Sequence, residues 1–259
     1  AVDVPHDWMI YDTENLYEEA ISCYKKSFTV DSSGTDRISL LFEGVYMNTT
    51  IYLNGKKIFY WPYGYSQFEA DLTEHLIAGE NTIYVISIYE CPNSRWYPGS
   101  GIYRSVWFIR RPLIHLNTDG IYISPKKSGT GWELHIDTEI QNEDSSDATY
   151  TLQHTISDKD NNEIYSLRMT GICTPGLNIK KQTITVADAV LWDIDEPYLY
   201  SLRTELVTDK YAGDYDRQAF GFRTIEFTPD KGLYLNGRNI TINGSCEHHT
   251  LGALGAAIN

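Results

Sequence analysis

Positive charge is scarce in this sequence of 259 residues: 21 lysines and arginines face 35 aspartates and glutamates, a net charge of −14 with histidine neutral. Basic residues nowhere cluster beyond pairs such as Lys25-Lys26 and Arg110-Arg111. Nucleic acid and anionic membranes are recognised through basic patches, so neither is an expected partner. The acids read instead as a solvated surface. Long apolar runs are missing too, so no helical membrane span is expected. Ala1 opens without a charged n-region and an apolar h-region, so no signal peptide is expected. A soluble protein of the bacterial periplasm or cytoplasm fits, and the choice between them stays open. Cysteine is thinly spread. Cys23, Cys91, Cys173 and Cys246 lie far apart with no Cys-x-x-Cys pair, which excludes the usual zinc and redox spacings. Four buried thiols and one or two disulfides both remain open. No amphipathic helical stripe precedes residue 250. Neither a glycine-rich phosphate loop nor a Ser/His/Asp arrangement stands out, and no cofactor is expected.

What the chain has is strand periodicity. Trp132, Leu134, Ile136, Thr138 and Ile140 alternate with Glu133, His135, Asp137, Glu139 and Gln141, a period of two with one wet face. Tyr150, Leu152, His154 and Ile156 repeat the pattern, as do Ile38, Leu40 and Phe42. Ile83 to Ile88 reads apolar on both faces, as an inner strand would. Asn54-Gly55 and Asn236-Gly237 each separate two short apolar runs and predict tight hairpins, because both residues accept positive φ cheaply. Asp158 to Glu163 predicts a polar turn. Short strands with such punctuation predict an all-β fold of sandwiches. The hydrophobic share of 42% supports a packed core, and the length suits one large or two ordinary domains. Arg110-Arg111-Pro112 marks the first boundary, where a strand ends at a proline. The expected domains are 1–112, 113–225 and a third piece, 226–259, with a hairpin, a strand from Ile240 and a small apolar tail from Leu251.

The order of motifs then resembles glycoside hydrolase family 2, in particular its β-galactosidase-like members. Val4-Pro5-His6-Asp7-Trp8 resembles the family's opening motif. Phe42-Glu43-Gly44-Val45, Ile51-Tyr52-Leu53-Asn54-Gly55 and Gly64-Tyr65-Ser66-Gln67-Phe68 resemble its first-domain core. The most specific stretch runs from Ser94-Arg95-Trp96-Tyr97 to Tyr103-Arg104. Leu191-Trp192 with Glu196-Pro197-Tyr198-Leu199-Tyr200 resembles the close of the second domain, and Gly244-Ser245-Cys246-Glu247-His248-His249 the first barrel strand. The resemblance covers the whole chain. It implies a jelly-roll (galactose-binding-like) β-sandwich, then an immunoglobulin-like β-sandwich, then the first strand of an incomplete TIM barrel.

The resemblance also implies that the chain is the N-terminal part of a retaining β-glycosidase. The family's two catalytic glutamates lie on later barrel strands, and the acid/base follows an asparagine. No Asn-Glu-Pro occurs here, and Asn142-Glu143 and Asn162-Glu163 fall in sandwich turns. No catalytic residue is therefore expected in this chain. Retaining hydrolysis needs two carboxyl groups about 5–5.5 Å apart, and no pattern suggests a second pair. The resemblance places Asn93, Arg95 and Trp96 on a loop that helps shape the sugar site. Trp96 would stack on a pyranose face, while Arg95 or Asn93 would bond hydroxyls. Packing of Trp96 beneath the loop and an ion pair at Arg95 is the alternative. Glu247, His248 and His249 fall where barrel enzymes build their sites. They also have metal-ligand chemistry, but neighbours on a strand alternate faces and cannot all close on one ion, so no metal is expected.

The aromatic group Tyr60, Trp61, Tyr63 and Tyr65 reads as packing or as a lectin-like platform. His6-Asp7-Trp8 reads as domain packing. The expected partners are a β-linked oligosaccharide or glycoside and the missing TIM barrel. A second copy of the chain would be a further partner if the apolar tail needed covering. A galactoside is the favoured substrate, with glucuronides and mannosides handled on the same scaffold. Two other readings stay open: a free-standing carbohydrate-binding module without hydrolytic role, and a purely structural module.

Overall fold

A computed structural model describes residues 1–12, 14, 18–31, 36–91, 99–246 and 255–257. The chain divides into two compact units, Ala1–Arg110 with Ser245–Asn259, and Arg111–Gly244. Residues 226–244 thus belong with the second unit, and the tail belongs with the first. The fold is all-β. Two short 3-10 helices, Trp8–Tyr11 and Thr73–His75, are the helical elements among the described residues.

The first unit is a sandwich of two sheets. One contains β1 (Ala20–Val30), β3 (Thr49–Leu53), β4 (Lys56–Trp61) and β6 (Gly79–Tyr89) in the order β1-β6-β3-β4. The other contains β2 (Arg37–Phe42), β5 (Phe68–Asp71) and β7 (Val106–Arg111) in the order β5-β2-β7. Alternation decides which side chains meet between them. Ile38, Phe42, Phe68, Ala70, Ile51, Leu53, Ile83 and Val85 are all buried. Phe68 stacks on Phe42 at 5.0 Å and on Phe59 at 5.5 Å between ring centroids, and Trp61 extends this aromatic layer. The run from Ile83 is indeed an inner strand, with β1 on one side and β3 on the other. The turn at Asn54-Gly55 has φ of 52° and 83°, the backbone that lets two strands return with the right twist.

The second unit is the immunoglobulin-like sandwich. Its first sheet holds β8 (Ile114–Ser128), β9 (Gly131–Asn142) and β12 (Gly176–Val186) in the order β12-β9-β8. Its second sheet holds β10 (Ala148–Ser157), β11 (Glu163–Cys173), β13 (Tyr200–Thr208) and β14 (Asp214–Phe220) in the order β11-β10-β13-β14. The face chosen by the period-two pattern is the buried one. Trp132, Leu134, Ile136, Thr138 and Ile140 face Tyr150, Leu152, His154 and Ile156 across the core. His154 is the polar exception. Its Nδ1 meets Thr204 Oγ1 at 2.9 Å and its Nε2 meets Thr138 Oγ1 at 3.3 Å. All three side chains are fully buried, so both ring nitrogens are satisfied where water cannot serve them. The turn between β10 and β11 closes on Asp158, which accepts the amides of Asp160 and Asn162.

A small sheet of β15 (Ile225–Thr228), β16 (Gly232–Leu235) and β17 (Arg238–Ile240) follows, turning at Asn236-Gly237 with φ of 50° and 78°. Residues 241–246 carry no strand, so Ile240 closes β17 rather than opening a longer one. All four cysteines are free, and only Cys173 is buried. The picture of four buried thiols is corrected accordingly: Cys23 lies on an edge strand, where alternation turns it outward.

Candidate functional site

The residues singled out from the sequence, Asn93, Arg95, Trp96, Glu247, His248 and His249, all lie outside the described residues. What the structure gives is the framework to which their segments attach. Gly99 and Ser100 follow the first segment, and Gly255 and Ala256 follow the second.

Both attachment points meet at Asp7. The 3-10 helix after Pro5 begins there, and the Asp7 side chain caps it by accepting the Met9 amide at 3.0 Å. The same Oδ1 accepts the Ser100 amide at 2.9 Å, and Oδ2 accepts the Ala256 amide at 2.8 Å. Asp7 is only 2% exposed. A buried carboxylate is tolerated only when its lone pairs are taken up, and three N–H donors do this here. The residues around it are held by backbone bonds as well. Trp8 and His6 donate to the carbonyls of Ser100 and Ile102, at 3.1 and 2.7 Å, and Tyr46 and Gly101 pair at 3.0 and 3.3 Å. The Ser100 hydroxyl donates to the Tyr46 carbonyl at 3.1 Å. Met9, Tyr46, Tyr89, Tyr103 and Ala256 close over this point as one buried cluster. The described part of the apolar tail is therefore covered by its own unit, and Ala256 and Ala257 present nothing for a second copy to bury.

The electrostatics keep the neighbouring groups neutral. Burial holds the His6 imidazole below its ordinary value, against an upward pull from Asp7. Burial also pushes the Tyr24 phenol up to about 12, and the Tyr103 phenol upward. His6 Nδ1 pairs with the Tyr24 hydroxyl at 2.8 Å and Nε2 with the Tyr11 hydroxyl at 3.1 Å. These groups can hold hydrogen bonds at neutral pH without changing charge.

The aromatic group from the sequence divides. Trp61 is absorbed into the core layer and donates to Ser66. Tyr65 packs on Tyr46 at 5.2 Å. Tyr60 and Tyr63 stay exposed, with the Lys57 ammonium over the Tyr60 ring. A groove of about 1100 Å³ in the same unit is lined by His6, Trp8 and Tyr24 together with Phe28, Val85 and Phe108 among others. Asp3, Ser22, Lys25, Lys26 and Ser105 add polar groups to its wall. Among the described residues no group of three or more His, Cys, Asp or Glu side chains could hold a metal ion.

Reading the sequence took His6-Asp7-Trp8 as packing and missed the anchoring role of Asp7. The available signal was an aspartate just before a short helix, the residue type that caps N-termini. Its two distant partners are backbone amides, which carry no sequence signal.

The comparisons with known proteins agree over the whole chain. The family model described as "Glycosyl hydrolases family 2, sugar binding domain" matches residues 2–112, and that described as "Glycosyl hydrolases family 2" matches residues 114–223. The "Beta-galactosidase BoGH2A" of Bacteroides ovatus is 36% identical over 274 residues, which take in 100% of this chain and 32% of that protein. A crystal structure of a glycosyl hydrolase family 2 member from Bacteroides cellulosilyticus superposes with a TM-score of 0.90 at 30% identity, covering 99% of this chain and 37% of that one. The Bacteroides uniformis beta-glucuronidase structure gives 0.88 at 26% identity, covering 100% and 33%. The chain spans about a third of the length of these relatives.

Proposed function

The chain belongs to glycosyl hydrolases family 2, and we propose that it is the N-terminal, non-catalytic part of a retaining β-glycosidase of that family, acting in carbohydrate degradation. The observation that carries this reading is coverage. Family models match both sandwiches from end to end, while the relative from Bacteroides ovatus is about three times as long. The two catalytic glutamates belong to the part of the parent that lies beyond these sandwiches. A β-galactoside is the proposed substrate, in line with the name of that relative. A β-glucuronide is the second choice, in line with the name of the Bacteroides uniformis structure.

In this reading the chain contributes contacts rather than chemistry. Trp96 stacks on a sugar face, Arg95 and Asn93 bond hydroxyls, and Glu247, His248 and His249 approach the substrate from the start of the barrel. The small sheet supports the presence of further protein. Ile225 and Phe227 share one of its faces and are 50% and 75% exposed, an apolar surface of the kind that another domain covers. Kinetics of the parent enzyme test the contacts. Trp96→Ala should lower turnover of an aryl-β-galactoside with little loss of folding, and His249→Ala should raise KM or lower kcat. Wild-type constants in both variants would remove these segments from the site.

A further inference from the structure

We infer that Asn243 is a site of spontaneous deamidation, and that the fold protects the other two Asn-Gly pairs of the chain from the same reaction. The inference stands apart from the function proposed above. Asn54, Asn236 and Asn243 each precede a glycine. In such a pair the glycine nitrogen can reach the asparagine side-chain carbon, because the glycine has no Cβ to shield it. At Asn243 a bond forms between Gly244 N and Asn243 Cγ, and the Cγ–Nδ2 bond breaks. The attacking nitrogen gives up its proton and Nδ2 leaves as ammonia, which closes a succinimide ring in the main chain. Water then opens the ring at either carbonyl. One opening yields aspartate. The other yields isoaspartate, in which the main chain runs through the side-chain carboxyl carbon. Water is the one co-reactant, and both products turn a neutral amide into a carboxylate.

The glycines do not distinguish the three pairs. A Cβ added at Gly55, Gly237 or Gly244 would meet nothing within 4 Å. The asparagines do distinguish them. Asn54 Nδ2 donates to the His75 carbonyl at 3.1 Å and to Asn81 Oδ1 at 2.8 Å, and its Oδ1 accepts the Thr82 amide at 3.0 Å. Asn236 Nδ2 donates to the Trp192 carbonyl at 3.0 Å, and its Oδ1 accepts the Thr224 amide at 3.0 Å. Their own amides are tied as well, to the carbonyls of Thr82 and Thr224 at 2.9 and 3.0 Å. Each side chain must release its partners before Cγ can turn toward the next nitrogen. Asn243 has nothing to release. It lies beyond the end of β17, in residues 241–246, which are all exposed and carry no strand. Among the described residues no hydrogen bond engages its side chain. At the typical net worth of a hydrogen bond, the two side-chain bonds of Asn236 should slow the attack roughly 30-fold and the three of Asn54 roughly 100-fold.

The test is peptide mapping by mass spectrometry on this chain, sampled during incubation at mildly alkaline pH, with isoaspartate read by enzymatic methylation. The peptide that holds Asn243 should convert to a mixture of aspartate and isoaspartate. The peptides that hold Asn54 and Asn236 should lag behind it by the factors given above. A parallel incubation in concentrated urea removes the fold and leaves the dipeptides alike. All three should then convert at similar rates, which assigns the difference to structure rather than to sequence. Two variants check the chemistry. Asn243→Gln should form no isoaspartate at that position, and Gly244→Ala should slow conversion there, because its Cβ crowds the attacking nitrogen. Neither change touches a packed side chain, so both should fold as the wild type does. Conversion of Asn54 or Asn236 as fast as Asn243 in the folded chain would overturn the protection. An Asn243 peptide that stays unchanged in the folded chain while all three convert in urea would overturn the site itself.

Discussion

The buried His154 gives the second sandwich a defined response to acid. Burial holds its imidazole down to about 4 against an ordinary value of 6.5. The ring is neutral in the fold, wedged between the hydroxyls of Thr138 and Thr204. Below pH 6.5 the unfolded chain takes up a proton that the folded chain refuses. Stability from this site is therefore fully present above pH 6.5 and is lost as pH falls toward 4. At 1.36 kcal/mol per unit of difference, the loss approaches about 3 kcal/mol. His115, also held down by burial, adds in the same direction. Asp144 is held at about 2 by the Tyr211 hydroxyl and Lys210, so its contribution falls at lower pH. The comparison variant is His154→Leu, which cannot titrate. It leaves two threonine hydroxyls without their partner and should cost about 2–4 kcal/mol at pH 7. Its stability should depend less on pH, so that the two proteins converge near pH 4. The assay is urea unfolding of the whole chain at pH 7, 6, 5 and 4, read by hydrogen exchange of amides in β9, β10 and β13. Parallel stability curves for wild type and variant between pH 4 and 6.5 would refute the reasoning.

Further outcomes follow from the same structure. Leu152→Ala, in a fully buried position of the second core, should cost about 2–5 kcal/mol in urea unfolding. Gly55→Ala meets no atom within 4 Å but must hold φ at +83°, so it should cost about 1 kcal/mol through the backbone alone. Tyr211→Phe removes the first cause of the low Asp144 value, and an NMR titration should show that carboxyl moving up toward the ordinary range. An unmoved titration would assign the shift to Lys210.

The fold was largely legible in the sequence, because a strand writes its burial in alternate letters. Trp132 to Ile140 and Tyr150 to Ile156 identified the core faces of two strands, including the places of Thr138 and His154. The Asn-Gly pairs identified two turns, because the positive φ values at those positions restrict the residue types. The division of the third piece was not legible. Alternation does not say which neighbour a segment packs on, and a short apolar tail such as Gly255-Ala256-Ala257 suits many surfaces. The attachment of Ser100 and Ala256 to Asp7 was equally hidden, since the donors are main-chain amides that any residue carries. Asn93, Arg95 and Trp96, and Glu247, His248 and His249, were chosen through family resemblance, which singles out a segment and leaves its contacts unspecified.

The central claim is that this chain shapes a sugar site without carrying the chemistry. Hydrolysis of an aryl-β-galactoside by this chain, beside a parent protein longer by about one TIM barrel, tests it most directly. Turnover by the longer protein alone is the predicted result. Cleavage by the short chain would contradict the account, because it would place a working carboxylate pair within these two sandwiches.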